Sequence, residues 1–341
     1  MEVPMRHHGT VTSLSWIPSE AVEGVSKLGF ESGLTHYDAP PPDTVEGPAH
    51  LEALRADDRF RFVNRLDAWI DVDEDGRIAG YGYADTAGGV MGATTVKAGP
   101  ARLTFQAFAM PDVRHQAEVG DGCVRFVQTT GGRTGLPAPR RVLRRPFVQF
   151  RAPLVWTTLA LTLHADGRAQ WEVVGASPFP RHWIYGPDGA LTAKVGRADF
   201  GRWWRHAFGP HTPWGDEESP ALVTAAETAL ERQLSTTIMQ GDTEPAFRKL
   251  EAGDVLIREG EMGEELYLLL DGVMRVEVGG RRLAEIGPGA LLGERAVVEG
   301  GRRTATLTAV TACRVAVATA DQLDRSALEA VSQGHRREDH P

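Results

Sequence analysis

In GERAVVEGGRRTATLTA, residues 293–309, one carboxylate and one guanidinium, Glu294 and Arg303, stand among glycines and alanines. An arginine offers a rigid fork of donors that pairs with an anionic oxygen better than a lysine ammonium does. Gly300, Gly301 and Ala305 leave backbone amides unobstructed, and Glu294 follows Gly293 where the chain turns. The carboxylate, in turn, needs a donor. A ligand with a vicinal hydroxyl and a single negative charge, such as a ribose fused to a cyclic phosphate, satisfies both groups. Other small anions meet the same demands, and spacing alone does not separate them.

The stretch GERAVVEGGRRTATL resembles, without a gap, the phosphate-binding cassette of cyclic nucleotide-binding domains. That cassette has a Gly-Glu pair, a small or apolar step with an alanine, then Arg, a small or hydroxyl residue and Ala. The upstream AGDVLIREGEMGEELYLLLDGVMRVEV resembles the family's first strands, with turns at Glu259-Gly260 and Gly263-Glu264, the Leu266-Tyr267 step and Gly272. The likeness covers roughly residues 245–330. It implies a catabolite-activator-like β-roll and a ligand, cyclic AMP or cyclic GMP, with no further cofactor. The implied site is Gly293, Glu294, Arg295, Ala296, Arg303, Thr304 and Ala305. By resemblance Glu294 accepts from the ribose 2′-hydroxyl and Arg303 pairs with the cyclic phosphate. Arg295 stands where the family has an apolar residue and Arg302 where proline is frequent; a hydroxyl at Thr304 leans toward cyclic GMP.

The elements that position this site are legible around it. Glycines at 253, 260, 263, 272, 279, 280, 287, 289 and 293 punctuate short β-prone runs, as in a small roll spanning residues 242–333. Two helical patterns, TADQLD and SALEAVSQ, close it, and residues 334–341 read as a polar, frayed tail. Upstream, residues 216–241 read as an amphipathic linker helix. Ser219 is its N-cap, Pro220 its first helical residue and Gly241 its terminator, with Val223, Ala226, Leu230, Leu234 and Ile238 at helical spacing.

Residues 1–215 read as a separate, mainly antiparallel β domain, a barrel or a sandwich. Asp75-Gly76, Asp166-Gly167 and Asp188-Gly189 stand between β-prone runs and supply the positive φ angles of tight hairpins. Asp71 to Gly76 copies the start of a calcium loop, but its twelfth position is Gly82 rather than a glutamate, so a hairpin turn is the better reading. Arg133, Arg140, Arg141, Arg144, Arg145 and Arg151 read as a solvated loop or an interdomain contact rather than a phosphate site. His36, Asp38, His182, His206 and His211 make an acid–base or metal site only if the fold gathers them. Trp156, Trp171, Trp183, Trp203 and Trp204 read as core ahead of a cavity lining.

A chain of 341 residues, 42% hydrophobic, is long enough for two cores. Its 37 basic residues against 46 acidic ones, net −9, argue against a general affinity for nucleic acid or anionic membrane. Two cysteines far apart suggest neither a disulfide framework nor a thiolate metal site, and neither a signal peptide nor a membrane-spanning run is evident; a cytoplasmic protein is the expectation. No winged-helix reader, kinase motif or channel span accompanies the roll, so direct DNA binding is not expected. Three classes follow: a cyclic nucleotide receptor whose roll regulates a β-rich ligand-binding or docking domain, a nucleotide-gated enzyme with its active site in residues 1–215, or an assembly protein with a non-binding roll. The receptor, not the enzyme, is the reading taken, with a homodimer or a protein partner as its expected macromolecular partner and a second protomer or the N-terminal domain able to cover the base.

Overall fold

The computed structural model describes residues 4–22, 25–32, 35–98, 101–136, 138–141, 143–145, 148–195, 199–201, 203, 223–240 and 245–336. The chain divides into two compact units: Met1–Pro18, Val22–Ala193 and Asp199–Ala221 form the first, and Ser19–Ala21, Lys194–Ala198 and Leu222–Pro341 the second. Both are rich in strands, as expected.

In the first unit, β1 (Met5–Trp16) pairs antiparallel with β2 (Phe62–Val72), which pairs with β3 (Ile78–Tyr83). A second sheet is built on β4 (Cys123–Arg133), β5 (Leu154–His164) and β6 (Ala169–Ala176). The first sheet continues through β7 (Arg181–Tyr185), which pairs with β1, to β8 (Leu191–Val195). The two sheets lie face to face, which settles the architecture as a sandwich of stacked sheets. A Cβ on Gly9 would come within 2.6 Å of Leu163 Cδ2, so glycine lets β1 approach β5. Buried amides stitch the faces: Gln128 Nε2 donates to Asn64 Oδ1 at 2.9 Å, and Asn64 Nδ2 donates to the Thr157 carbonyl at 2.9 Å. Such groups belong in a core only when bonded.

The Asp-Gly pairs at 75, 166 and 188 sit at hairpin turns, with Gly76, Gly167 and Gly189 at φ of 76°, 86° and 77°. Asp73 Oδ1 accepts from the amides of Asp75 and Arg77, so the calcium-loop look-alike is a turn closed on itself. Trp183 and Trp203 are core, Trp156 and Trp171 are half-buried, and Trp204 lies outside the described residues. Two helices, α1 (Val25–Glu31) and α2 (Pro48–Ala56), complete the unit; Leu51 and Leu54 of α2 pack with Trp16 and Trp183.

In the second unit a short strand, β9 (Val223–Ala225), precedes helix α3 (Ala229–Gln240). The expected linker helix is therefore corrected: residues 223–225 are strand and the helix begins at Ala229, while Ser219 and Pro220 lie outside the described residues. The physical start signal is Thr228-Ala-Leu-Glu231. The Thr228 amide donates to Glu231 Oε2 at 2.8 Å and the Glu231 amide to Thr228 Oγ1 at 3.2 Å, a reciprocal cap.

Two four-stranded sheets form the roll. One runs β10 (Ala246–Leu250), β17 (Cys313–Thr319), β12 (Glu265–Asp271) and β15 (Leu291–Leu292). The other runs β11 (Val255–Ile257), β16 (Thr306–Ala309), β13 (Met274–Val278) and β14 (Arg281–Ile286). Strand β12 is buried on both faces: Tyr267 and Leu269 face the interior with Met274 and Val315, whereas Leu266, Leu268 and Leu270 pack with the helices. That explains a near-continuous apolar run where a one-sided strand would alternate.

The roll carries α4 (Glu294–Glu299) and ends in α5 (Arg325–Arg336). TADQLD contributes a 3-10 turn at Ala320–Gln322, capped by Thr319 and Gln322. The frayed-tail reading of residue 334 onward is corrected through Arg336: α5 continues past Gly334, because His335 gains two ionic partners that offset the low helix propensity of glycine.

Candidate functional site

A short helix between turns positions the cassette. Gly293 adopts φ 83° before α4, and Gly300 and Gly301 follow it at 103° and 87°, conformations that cost a side-chain-bearing residue. The chain then runs back beside the Gly260–Gly263 loop: the Arg303 amide donates to the Glu261 carbonyl at 2.8 Å and the Gly263 amide to the Gly301 carbonyl at 2.8 Å.

This backbone holds Arg303 at 6% exposure. Nη1 donates to the carbonyls of Glu265 at 3.0 Å and Gly293 at 3.3 Å, orienting the guanidinium without using Nη2. A Cβ on Gly263 would stand 2.6 Å from Nη2, and one on Gly293 2.5 Å from Nη1, so both glycines make room for the fork.

Glu294, 5% exposed, lies on the first turn of α4. Its Oε1 is 2.7 Å from Nδ1 of His335 on α5, and the other ring nitrogen, Nε2, is 3.4 Å from Glu231 Oε1 on α3. Burial alone would lower the His335 pKa, but hydrogen bonds to Glu231 and Glu294 outweigh it and raise the value to about 10. For Glu231, burial pushes upward and is outweighed by the His335 bond and the Thr228 amide, leaving a value of about 2. The imidazole is therefore cationic at neutral pH, with both nitrogens donating.

The sign of the pH dependence follows. With a folded value of about 10 against an ordinary 6.5, His335 contributes docking stability that is complete below about pH 6.5 and lost as pH rises through about 10. Glu231 contributes above its ordinary 4.5, and that part is lost as pH falls toward about 2. NMR titration of the His335 ring should therefore show a midpoint near 10. A midpoint near 6.5 would contradict the ion triad.

Glu294 and Arg303 open on one cavity of about 310 Å³, a volume suited to a small ligand. All seven residues of the expected site line it: Gly293, Glu294, Arg295, Ala296, Arg303, Thr304 and Ala305. Val276, Val278, Leu283 and Ala284 form an apolar wall. Arg295 is half-buried, with Nε 3.8 Å from Glu299 Oε1, so it lies along its own helix instead of disturbing the packing of Ala296, which is 1% exposed. Arg302, where the family favours proline, is exposed and bridges Met262.

Sequence reasoning missed four groups that line the same cavity: Lys194, Glu227, Glu231 and His335. Lys194 Nζ and Glu227 Oε2 are 2.5 Å apart with side chains 1% and 0% exposed. The capping pattern at Thr228 could have flagged Glu231; nothing local to Lys194 or His335 could have.

The histidines of the first unit have other duties. Asp38, 4% exposed, is held by Arg61 Nη2 at 2.8 Å and the Ile17 amide at 2.7 Å; His36 Nε2 lies 3.1 Å from Asp58 Oδ2. His182 is wholly buried, accepting from Ser15 Oγ at 2.7 Å while its Nε2 donates to the Ser177 carbonyl at 2.9 Å. Burial lowers its pKa to about 4, leaving it neutral. His206 and His211 lie outside the described residues, as do the side chains of Arg140, Arg141 and Arg151. Among the described residues no helix is long and apolar enough to cross a membrane.

Comparison with known proteins addresses the second unit. Residues 247–328 match the family model described as the cyclic nucleotide-binding domain. The human potassium/sodium hyperpolarization-activated cyclic nucleotide-gated channel 3 is 30% identical over 105 residues, 31% of this chain and 12% of the channel. Channel 4 of Oryctolagus cuniculus is 36% identical over 73 residues, 21% of this chain and 6% of the channel. The chain thus spans a small part of these relatives. Among solved structures, the N-terminal domain of a transcriptional regulator from Streptomyces coelicolor A3(2) is similar at 27% identity and TM-score 0.24, covering 34% of this chain and 85% of that one. The EAL enzyme Bd1971 in its cAMP-bound form is similar at 19% identity and TM-score 0.24, covering 28% and 29%. The second unit carries, at residues 247–328, a domain of the cyclic nucleotide-binding family.

Proposed function

We propose that this chain is a cyclic nucleotide sensor: cyclic AMP or cyclic GMP binds the cavity of the second unit, and the first unit, a β-rich ligand-binding or docking domain, is what it regulates. The observation that carries the reading is the convergence of Glu294, Arg303 and Thr304 with an apolar wall in one cavity. Arg303 pairs with the cyclic phosphate through Nη2, helped by the Thr304 hydroxyl and by the backbone of Gly293, Ala296 and Ala305. Glu294 accepts from the ribose 2′-hydroxyl. The purine lies against Val276, Val278 and Leu283, where apolar area and not a charge receives a flat base.

Regulation has a covalent route. Lys194 lines the cavity, and the three residues before it on β8, Leu191 to Ala193, belong to the first unit. A ligand shifts such a coupled equilibrium only through different affinities for its two states.

Calorimetric titration of both nucleotides into the full chain, with tryptophan fluorescence followed in parallel, tests the reading. All eight tryptophans precede residue 215, so heat together with a fluorescence change supports both binding and coupling. Heat without fluorescence removes the coupling, and neither signal removes the sensor in favour of an assembly module.

A further inference from the structure

The carboxylate assigned to the ribose is already engaged by the chain's own C-terminal helix. His335 stands between two buried acids from two different helices, at 2.7 Å from Glu294 on α4 and 3.4 Å from Glu231 on α3. Its partner atom on Glu294 is Oε1, and His335 lines the same cavity as Arg303. A nucleotide hydroxyl seeking Glu294 thus meets a carboxylate oxygen already occupied by a cationic donor, whereas the hydroxyl itself brings a neutral one.

The turn that carries His335 is weakly held apart from this contact. Leu328 and Val331 anchor the middle of α5 at 1% and 5% exposure, in the cluster with Leu234 and Leu268. Ser332, at 1%, extends that anchored part; beyond it Gln333 and Gly334 are exposed, and nothing stands within 4 Å of where a Gly334 Cβ would be. A glycine inside a helix costs about 1 kcal/mol relative to alanine. The anchored part of α5 can stay in place while its last turn peels away.

We propose that His335 is an intramolecular plug for the ribose subsite: the last turn of α5 and the 2′-hydroxyl of an incoming cyclic nucleotide compete for Glu294, and binding frees that turn. The proposal rests on the assignment of Glu294 to the ribose. It makes the released segment, residues 333–336, an output of binding in its own right. The opposite behaviour, a C-terminal helix drawn tighter over its ligand, is excluded by it. The charged groups sharing the cavity with the plug are Glu231 from α3, Glu294 and Arg295 from α4, Glu227 before α3, Lys194 from β8, Glu285 from β14 and Arg303. With a cation among these acids, the plug is a charge pair that a neutral hydroxyl must replace.

The test uses the full chain, cyclic AMP and cyclic GMP, their 2′-deoxy analogues, and the variants His335→Ala and His335→Gln. Without the plug, His335→Ala should bind the natural nucleotides about tenfold more tightly or better, while its affinity for the 2′-deoxy analogues stays within about twofold of the wild-type value. His335→Gln, which keeps a donor but no charge, should fall between. Amide exchange over residues 333–336 of the wild type should quicken with the natural nucleotide and not with the deoxy analogue; unchanged protection of β12 reports intact folding of each variant. Equal or weaker binding by His335→Ala, or slower exchange of the last turn on binding, overturns the plug and leaves the sensor standing. No binding by any protein with any nucleotide removes the sensor and the plug together.

Discussion

Replacing Arg303 with glutamine should weaken cyclic nucleotide binding by roughly 10²- to 10³-fold, about 3–4 kcal/mol, the scale of removing one partner from a desolvated charge pair. The size follows from the setting. At 6% exposure the guanidinium is shielded from water, and its Nη1 is fixed by the carbonyls of Glu265 and Gly293 before any ligand arrives. The ordering of the fork is thus complete beforehand, so the ligand gains the interaction without that entropic cost. Glutamine removes the buried charge while keeping a polar donor, so the roll should fold. Calorimetry on the wild type and the variant checks it, with protection of β12 as the folding control. A loss smaller than tenfold would mean that the anion sits elsewhere and that Arg303 is a scaffold for the turn.

The second large effect is expected at Lys194. Its ammonium and the Glu227 carboxylate are both out of water and 2.5 Å apart, so Lys194→Met leaves a buried carboxylate without its cation. Breaking a buried pair from one side costs about 3–5 kcal/mol, whereas replacing both partners with apolar residues of similar volume is often neutral or better. Lys194→Met should accordingly speed amide exchange of α3 by roughly 10²- to 10³-fold, and the double variant Lys194→Met/Glu227→Leu should restore most of the protection. Exchange is the right readout because the second unit holds no tryptophan and a two-unit chain need not unfold in one step. If the single variant exchanges like the wild type, Glu227 takes its charge compensation from another group.

What could be read from the sequence was what is local. Glu294 and Arg303 fall within one ten-residue segment, and the glycines beside the guanidinium, at 263 and 293, stand at turns legible in the sequence. Hairpins carried the same kind of signal: an Asp-Gly pair announces its own φ angle at positions 76, 167 and 189. Helix α3 starts later than the Ser219-Pro220 signal implies: Thr228-Ala-Leu-Glu231 makes the cap, since β9 occupies residues 223–225. His335 was hidden for another reason. A histidine after a glycine in a polar tail has low helix propensity, and only two acids, 41 and 104 positions earlier in the chain, turn it into a fixed ion. Stacked sheets in the first unit were equally silent, because alternation fixes which side of a strand is buried and not what buries it.

Lys194 also bears on how the second unit could be moved or borrowed. A fragment starting at Leu222 would contain every cassette residue, helices α3 to α5 and His335, and would still lack Lys194. The family likeness at 247–328 looks like a portable module, but the cavity it surrounds is assembled from residues as far apart in the chain as Lys194 and His335. Swapping this roll onto another protein, or another roll onto this one, therefore separates Glu227 from Lys194 unless residue 194 travels with it. The heritable unit includes this ion pair, and recombination that cuts between positions 194 and 227 changes the charge balance of the cavity while leaving the cassette sequence intact.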